Sequence, residues 1–216
     1  MVILIMNGYS RAGKDSVFHM LLDNERCNPL YIDGKKWDIS IRKTSSIEWC
    51  KVLYGKLIDH FRGLNQNELA DYFSAQEVEK TPEYRSTLVD LKKTFDKHYD
   101  LSTKAIIERA KYYQKSSIES DRYTTILTVD IREPENIDKI KNAVANDPEI
   151  ADKIKVFTLK VERNGIKPQP GDEHVDDYDY DFYIRNDSTM NELFIQVSLF
   201  WALTLKGELT KFFTKK

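Results

Sequence analysis

The sequence predicts an α/β fold built on a parallel sheet with helices on both faces. Three observations carry that prediction. An apolar run, Met1 to Met6, leads through a glycine-bounded turn into a segment with helical apolar spacing. Two further short runs, Thr124–Val129 and Lys155–Val161, have the β-branched or apolar character of buried strands. Helix-like segments separate these runs, and parallel neighbours need such crossovers.

Each element has its own justification. Residues 2–6 are too uniformly apolar for a half-exposed strand and read as a strand buried on both sides. Residues 14–24 place Val17, Phe18, Met20, Leu21 and Leu22 on one helical face. Trp37-Asp38-Ile39-Ser40-Ile41 alternates and predicts a second strand. Thr44 to Glu48 reads as a helix start, with Ser45 and Glu48 at capping-box spacing. Residues 47–115 are then mostly helical, broken near Gly63-Leu64-Asn65 and at Pro82. After the strand at 124–129, Pro134 opens a helix that runs to about Asn146. The strand at 155–161 precedes a polar loop with Gly165, Pro168, Pro170 and Gly171. Tyr180–Ile184 is the fifth strand and 189–213 the closing helix.

Composition narrows the function. At 216 residues the chain fits one domain with a full core. Its 33 basic and 35 acidic residues give a net charge of −2, which argues against a general nucleic-acid or membrane binder. Cys27 and Cys50 are the two cysteines, and with no Cys/His cluster at metal spacing they predict reduced thiols in a cytoplasmic setting. The opening apolar run is too short for a signal peptide. Phe194–Leu205 is interrupted by Gln196, Ser198 and Thr204, so it predicts a buried or amphipathic helix and no membrane span. The aromatic-rich closing helix leaves both a monomer and a homodimer open.

The turn after the first strand reads Gly8-Tyr9-Ser10-Arg11-Ala12-Gly13-Lys14-Asp15, or G-x-x-x-x-G-K-D. Glycines permit the positive-φ turns by which a backbone directs several N–H groups at one anion. The following helix adds its free N–H groups and the positive end of its dipole. Lys14 brings a full charge to terminal phosphates. Asp15 stands where Ser or Thr usually donates a hydroxyl to Mg²⁺, and a carboxylate is also a hard ligand, direct or through water. Ser16 comes one position late for that role and reads equally as a first-turn residue bonding its own backbone.

In parallel sheets, ligands gather at the carboxyl ends of strands. Asp130 ends the 124–129 strand, within expected reach of a metal; Arg132 follows with a guanidinium suited to phosphate. A helix cap and an ion pair with Glu133 or Glu135 are the plain alternatives. Arg163 and Lys167 follow the next strand, either as phosphate clamps on a closing loop or as solvated charges. The run His174 to Asp181 fits no Ca²⁺ loop and reads as an acidic rim. Arg85 and Lys92, seven residues apart, share one helix face that suits an acceptor phosphate or simply solvent.

The G-x-x-x-x-G-K-D loop resembles that of phage-type deoxynucleoside monophosphate kinases, and of the related animal-type phosphomevalonate kinases. Thr44-Ser45-Ser46-Ile47, Thr81-Pro82-Glu83-Tyr84-Arg85, Asp130-Ile131-Arg132-Glu133-Pro134-Glu135 and Tyr178 to Asp187 resemble segments of the same group, in the same order. The resemblance implies one kinase domain over 1–216: a three-layer α/β/α sandwich with a five-stranded parallel sheet, a helical acceptor-binding insert over about 47–115 and a lid loop over about 162–178. It implies ATP and Mg²⁺ as cofactors. ATP would be held by Gly8, Ser10, Arg11, Ala12, Gly13, Lys14, Asp15 and Ser16, with Asn186 and Asp187 near the adenine. Lys14, Arg132 and Arg163 would act on the transferring phosphoryl group, Asp15 and Asp130 on the metal, and Ser45, Ser46, Tyr84, Arg85 and Lys92 on the acceptor. The expected reaction is transfer to a nucleoside or deoxynucleoside monophosphate. Another small phosphorylated acceptor, or nucleotide binding without acceptor chemistry, remains open. Two features depart from the group: the long helical stretch Gly55–Glu79, and Ser188 in place of the usual glycine after Asn186-Asp187.

Overall fold

A computed structural model of the chain describes residues 1–32, 34–79, 81–118, 123–168, 172 and 174–214. The chain forms two compact units: Met1–Thr44 with Ile107–Lys216, and Ser45–Ile106 between them in sequence.

The first unit is α/β. Its strands are β1 (Val2–Asn7), β2 (Leu30–Ile32), β3 (Lys35–Ser45), β4 (Tyr123–Asp130), β5 (Lys155–Glu162) and β6 (Phe182–Arg185), in the sheet order β2-β3-β4-β1-β5-β6. β1 pairs in parallel with β4 and β5, and β5 with β6. The expected sheet of five parallel strands is therefore corrected to six, with an antiparallel β2–β3 pair at one edge. The segment expected as a strand at 37–41 is the middle of the longer β3, and its hairpin partner is only 3 residues long. Asp33-Gly34 gives the hairpin turn signal in the sequence, and Gly34 adopts φ +72°; Asp33 lies outside the described residues.

Helix α1 (Lys14–Cys27) packs against α7 (Met190–Leu199). A π-helical segment, Phe200–Leu205, continues α7 into α8 (Lys206–Thr214), so the single closing helix expected from the pattern contains a change of pitch. Val2, Leu4 and Met6 of β1 share a core with Val17, Leu21, Leu193, Val197 and Trp201. Ile3 and Ile5 alternate onto the other face and are equally buried. Each such side chain contributes about 1.5–3 kcal/mol when removed from water. This core buries β1 on both faces beneath the turn that follows it. Trp201, fully buried, donates from Nε1 to the Asn28 carbonyl at 3.0 Å. Helix α6 (Pro134–Asn146) buries Ile137, Ile140 and Val144.

The second unit holds α2 (Glu48–Gly63), α3 (Asn67–Glu79), α4 (Pro82–Tyr99) and the start of α5 (Leu101–Ile118). Cys50, Tyr54, Ile58, Ala70, Tyr84 and Leu88 form its core, with the Tyr54 and Tyr84 rings edge-on at 4.9 Å. Thr81 caps α4 by accepting from the Tyr84 N–H at 3.2 Å, as Pro82 in the first turn leads one to expect. A further break falls at Asp100, in the left-handed region at φ 49°, a position without the usual glycine signal. The capping box expected at Ser45 and Glu48 does not form: Ser45 still belongs to β3, and Ile47 stands at the N-cap without a side-chain bond. A capping box does form at α7, between Thr189 and Glu192. No helix among the described residues is long and apolar enough to cross a membrane.

Candidate functional site

The parallel register sets β1, β4, β5 and β6 with their carboxyl ends along one edge: Met6 lies opposite Asp130 and Leu159, Asn7 opposite Lys160, and Glu162 opposite Arg185. The glycine loop, Asp130 with Arg132, Arg163, and Asn186 with Asp187 all leave the sheet along that edge.

The loop's shape is held by contacts that side chains would obstruct. Gly8 has φ +139°, and a Cβ there would lie 2.2 Å from the Val161 carbonyl oxygen. Gly13 has φ +104°, and its Cβ would lie 2.4 Å from Asn186 Nδ2. Arg11, exposed, takes a third positive φ of 68°. Ala12, by contrast, is buried and turns its N–H back to the Tyr9 carbonyl at 3.1 Å. Gly13 stands at the N-cap of α1 with no side-chain cap, so the first N–H groups of the helix remain unsatisfied by any cap. Ser16 is half-buried in that first turn.

Buried polar groups beneath the loop were not legible in the motif. Asn7, fully buried, accepts from the Gly8 N–H at 2.7 Å and donates to the Tyr180 hydroxyl at 2.6 Å. Tyr180 donates onward to the Val175 carbonyl at 2.9 Å, and burial raises its phenol pKa. Asn186 is buried and donates from Nδ2 to the Ala12 carbonyl at 2.9 Å, so it braces the loop directly. Asp187 accepts from the Asn164 N–H at 2.6 Å and from its side chain at 2.9 Å, tying together the segments after β5 and β6.

Lys14 donates to the carbonyls of Gly8 at 2.6 Å and Tyr9 at 3.1 Å. Burial lowers its pKa, as does the neighbouring Arg132, while Asp130, Asp172 and Asp15 oppose the shift. Arg132 lies 3.4 Å from Asp172 Oδ1. Asp172 itself is fully buried, and its Oδ2 accepts from the Ser10 N–H at 2.8 Å. A carboxylate of the chain thus sits against an amide of the loop. Of the expected lid over 162–178, residues 169–171 and 173 lie outside the described residues; Asp172 and a 3-10 turn at Val175–Asp177 are described. Asp176 in that turn bonds the Tyr9 hydroxyl and pairs with Lys160 at 2.8 Å, and these contacts hold its pKa below the usual carboxylate range. His174, exposed, pairs with Asp177 at 2.9 Å, as an acidic rim would have it.

Asp15 and Asp130 are brought together by Lys43 of β3, a residue without a motif signal. Its ammonium hydrogen-bonds Asp15 and lies 3.0 Å from Asp130 Oδ2. That bond from Lys43 lowers the pKa of Asp15, outweighing a smaller opposing effect of burial. Burial raises the pKa of Asp130, with Lys43 and Lys14 opposing. For Lys43, burial works against the charge, but the bonds from Asp15 and Asp130 prevail and raise its pKa. Asp130 Oδ1 is buried with no hydrogen-bond partner. An orphaned carboxylate oxygen beside a second carboxylate fits a hard, oxygen-preferring cation such as Mg²⁺. No cluster of three or more His, Cys, Asp or Glu suited to a metal occurs among the described residues, so any such ion would draw its remaining ligands from water or substrate.

Arg163 is exposed immediately after β5 and makes no ion pair among the described residues. The residues expected on the acceptor side lie in the second unit. There Tyr84 belongs to the core and Arg85, next to it, is exposed. Lys92 is only 7% exposed and pairs with Asp96 at 3.2 Å. Asp96 also accepts from the Ser102 N–H at 2.8 Å, and the Ser102 hydroxyl lies 2.8 Å from the carbonyl of buried Ser46. Ser45 is half-buried with an unpartnered hydroxyl. Cys50 beside this network has its thiol pushed up to about 12 by burial and by Asp96, so it is an inert thiol, and both cysteines are free.

No protein-family model matches the chain, and no curated protein matches it significantly.

Proposed function

We propose that the chain is an ATP- and Mg²⁺-dependent phosphotransferase of P-loop kinase type, acting on a nucleoside or deoxynucleoside monophosphate. The observation that carries this reading is a Gly8–Gly13 loop clamped between β5 and Asn186, with Lys14 and two carboxylates at its mouth. Under this proposal the edge hairpin of β2 and β3 extends a three-layer core whose remaining strands are parallel.

In this mechanism the loop amides and the uncapped start of α1 hold the phosphates of ATP. Lys14 exchanges its bonds to the Gly8 and Tyr9 carbonyls for the terminal phosphates. Asp15 and Asp130 would hold Mg²⁺, which when bound supplies charge neutralisation to the phosphates. Arg132 exchanges Asp172 for phosphate oxygens, and Arg163 is free to swing in from solvent. The chemistry demands positioning and charge, so no strong base is required. Free thiols, one of them buried, suit a cytoplasmic setting.

A second acceptor class is favoured by one observation. Lys92 and Tyr84 are built into the core of the second unit, which leaves Arg85 as the exposed cation of the expected acceptor set. Another small phosphorylated acceptor is the alternative. Lys14→Ala tests the shared part: its urea unfolding should match the unsubstituted protein while ATP-dependent turnover falls at least a hundredfold, roughly. Unchanged turnover would remove the assignment.

A further inference from the structure

Asp15 and Asp130 come from different elements, the first turn of α1 and the end of β4. One ammonium serves both: Lys43 bonds Asp15 and lies 3.0 Å from Asp130 Oδ2. The Lys43 side chain is 25% exposed and lies over the Phe18 ring, 5.4 Å from its centroid. Its position is therefore fixed from three sides.

Two carboxylates converging on one point repel unless a cation lies between them. Lys43 is that cation here, bonded to Asp15 and close to Asp130. An ammonium is a single point charge carrying three donors. Mg²⁺ instead draws oxygen ligands to about 2.0–2.1 Å in an octahedron. The same carboxylate oxygens cannot satisfy both. Asp130 Oδ1, buried and without a hydrogen-bond partner, is an oxygen that the ammonium leaves unsatisfied and a divalent ion would use.

We propose that Lys43 is a resident cation that competes with Mg²⁺ for Asp15 and Asp130, keeping the pair in place until nucleotide and metal arrive together. The proposal rests on reading the loop as a metal–nucleotide site. It makes Lys43 a positioning residue with a consequence for selectivity. Metal alone must displace Lys43 for the sake of two carboxylates, and so binds weakly. Metal carried by nucleotide brings phosphate oxygens as further ligands, and the exchange then runs forward. The displaced ammonium stays beside the bound phosphates and adds to their neutralisation.

The test uses the ligand-free full chain and Mn²⁺ as probe, with free Mn²⁺ read by electron paramagnetic resonance. The proteins are the unsubstituted chain, Lys43→Met, Lys43→Gln and the double variant Lys43→Met with Asp130→Asn. Circular dichroism melting selects which of the two Lys43 variants is folded and used. The folded variant should bind one Mn²⁺ on the order of tenfold more tightly than the unsubstituted protein. Removing the Asp130 charge should cancel the gain. Equal affinity with and without Lys43, or a gain that survives Asp130→Asn, overturns the proposal. This readout needs no phosphoryl transfer. A gain in Mn²⁺ affinity in a protein that phosphorylates no acceptor supports Lys43 and defeats the kinase reading; phosphorylation with no gain does the reverse.

Discussion

Replacing Gly8 with alanine asks whether the loop's shape is set by the backbone itself. The added Cβ would meet the Val161 carbonyl oxygen at 2.2 Å, against 3.4 Å or more in ordinary contact. Both atoms are fixed to main chain, so no rotamer change relieves the collision. The positive φ of 139° adds a cost of its own, about 1–2 kcal/mol for a non-glycine residue. Displacing the loop from β5 adds about 1–3 kcal/mol more. Gly34→Ala is the matched control: it has φ +72° with nothing within 4 Å, so it bears the backbone cost alone. Urea unfolding followed by tryptophan fluorescence should show Gly8→Ala less stable than Gly34→Ala by about 1–3 kcal/mol. Calorimetry should show Mg·ATP binding lost in Gly8→Ala and kept in Gly34→Ala, because a displacement of about 1 Å ruins a positioned site. Equal stability of the two variants, with ATP binding intact in both, would refute the argument.

Three other outcomes follow from named contacts. Asp172 sets its carboxylate against the Ser10 amide and Arg132, so an incoming phosphate must compete with it; Asp172→Asn should tighten pyrophosphate binding in calorimetry by about five- to tenfold, and unchanged or weaker binding contradicts this. Lys92→Met strands the Asp96 carboxylate in the second unit and should cost about 3–5 kcal/mol in urea unfolding; full stability with lost turnover would instead assign Lys92 to substrate. Asp176 has a folded pKa held below its ordinary 3.8 by Lys160 and Tyr9, so its contribution is complete above 3.8 and is lost as pH falls through the lower folded value. Asp176→Asn should accordingly flatten the loss of stability below pH 3.8, and an unaltered acid limb would count against it.

What the sequence disclosed, and what it withheld, divides by range. Gly8, Gly13 and Lys14 were legible because strand, loop and helix are contiguous, and each constrains the next. Asp130 and Arg132 were legible because a parallel strand end fixes where a following side chain emerges. Asn7 was hidden in an apolar run, and its partner Tyr180 is 173 residues away. Lys43 lies two residues past the stretch expected as a strand, and only the longer β3, set beside β4, brings it to Asp130. Asn186 was expected near the adenine, and its bond to Ala12 spans 174 residues. No spacing rule encodes such pairs. β2 escaped because 3 residues are too few to show a period, although Asp33-Gly34 was a usable turn signal. The helix break at Asp100 escaped because an aspartate does there what a glycine commonly does. Lys92 shows the converse: helical spacing placed it on a face with Arg85, but spacing does not say that Asp96 lies beside it under cover.

The proposed role of this loop is delivery of a phosphoryl group to a nucleoside or deoxynucleoside monophosphate. The direct measurement is ADP release with Mg·ATP across the common ribo- and deoxyribonucleoside monophosphates, with the diphosphate product identified by phosphorus NMR. The expected result is ADP and a nucleoside diphosphate formed together from at least one acceptor, with Lys14→Ala silent throughout. ATP binding with no diphosphate formed from any member of that panel would contradict it.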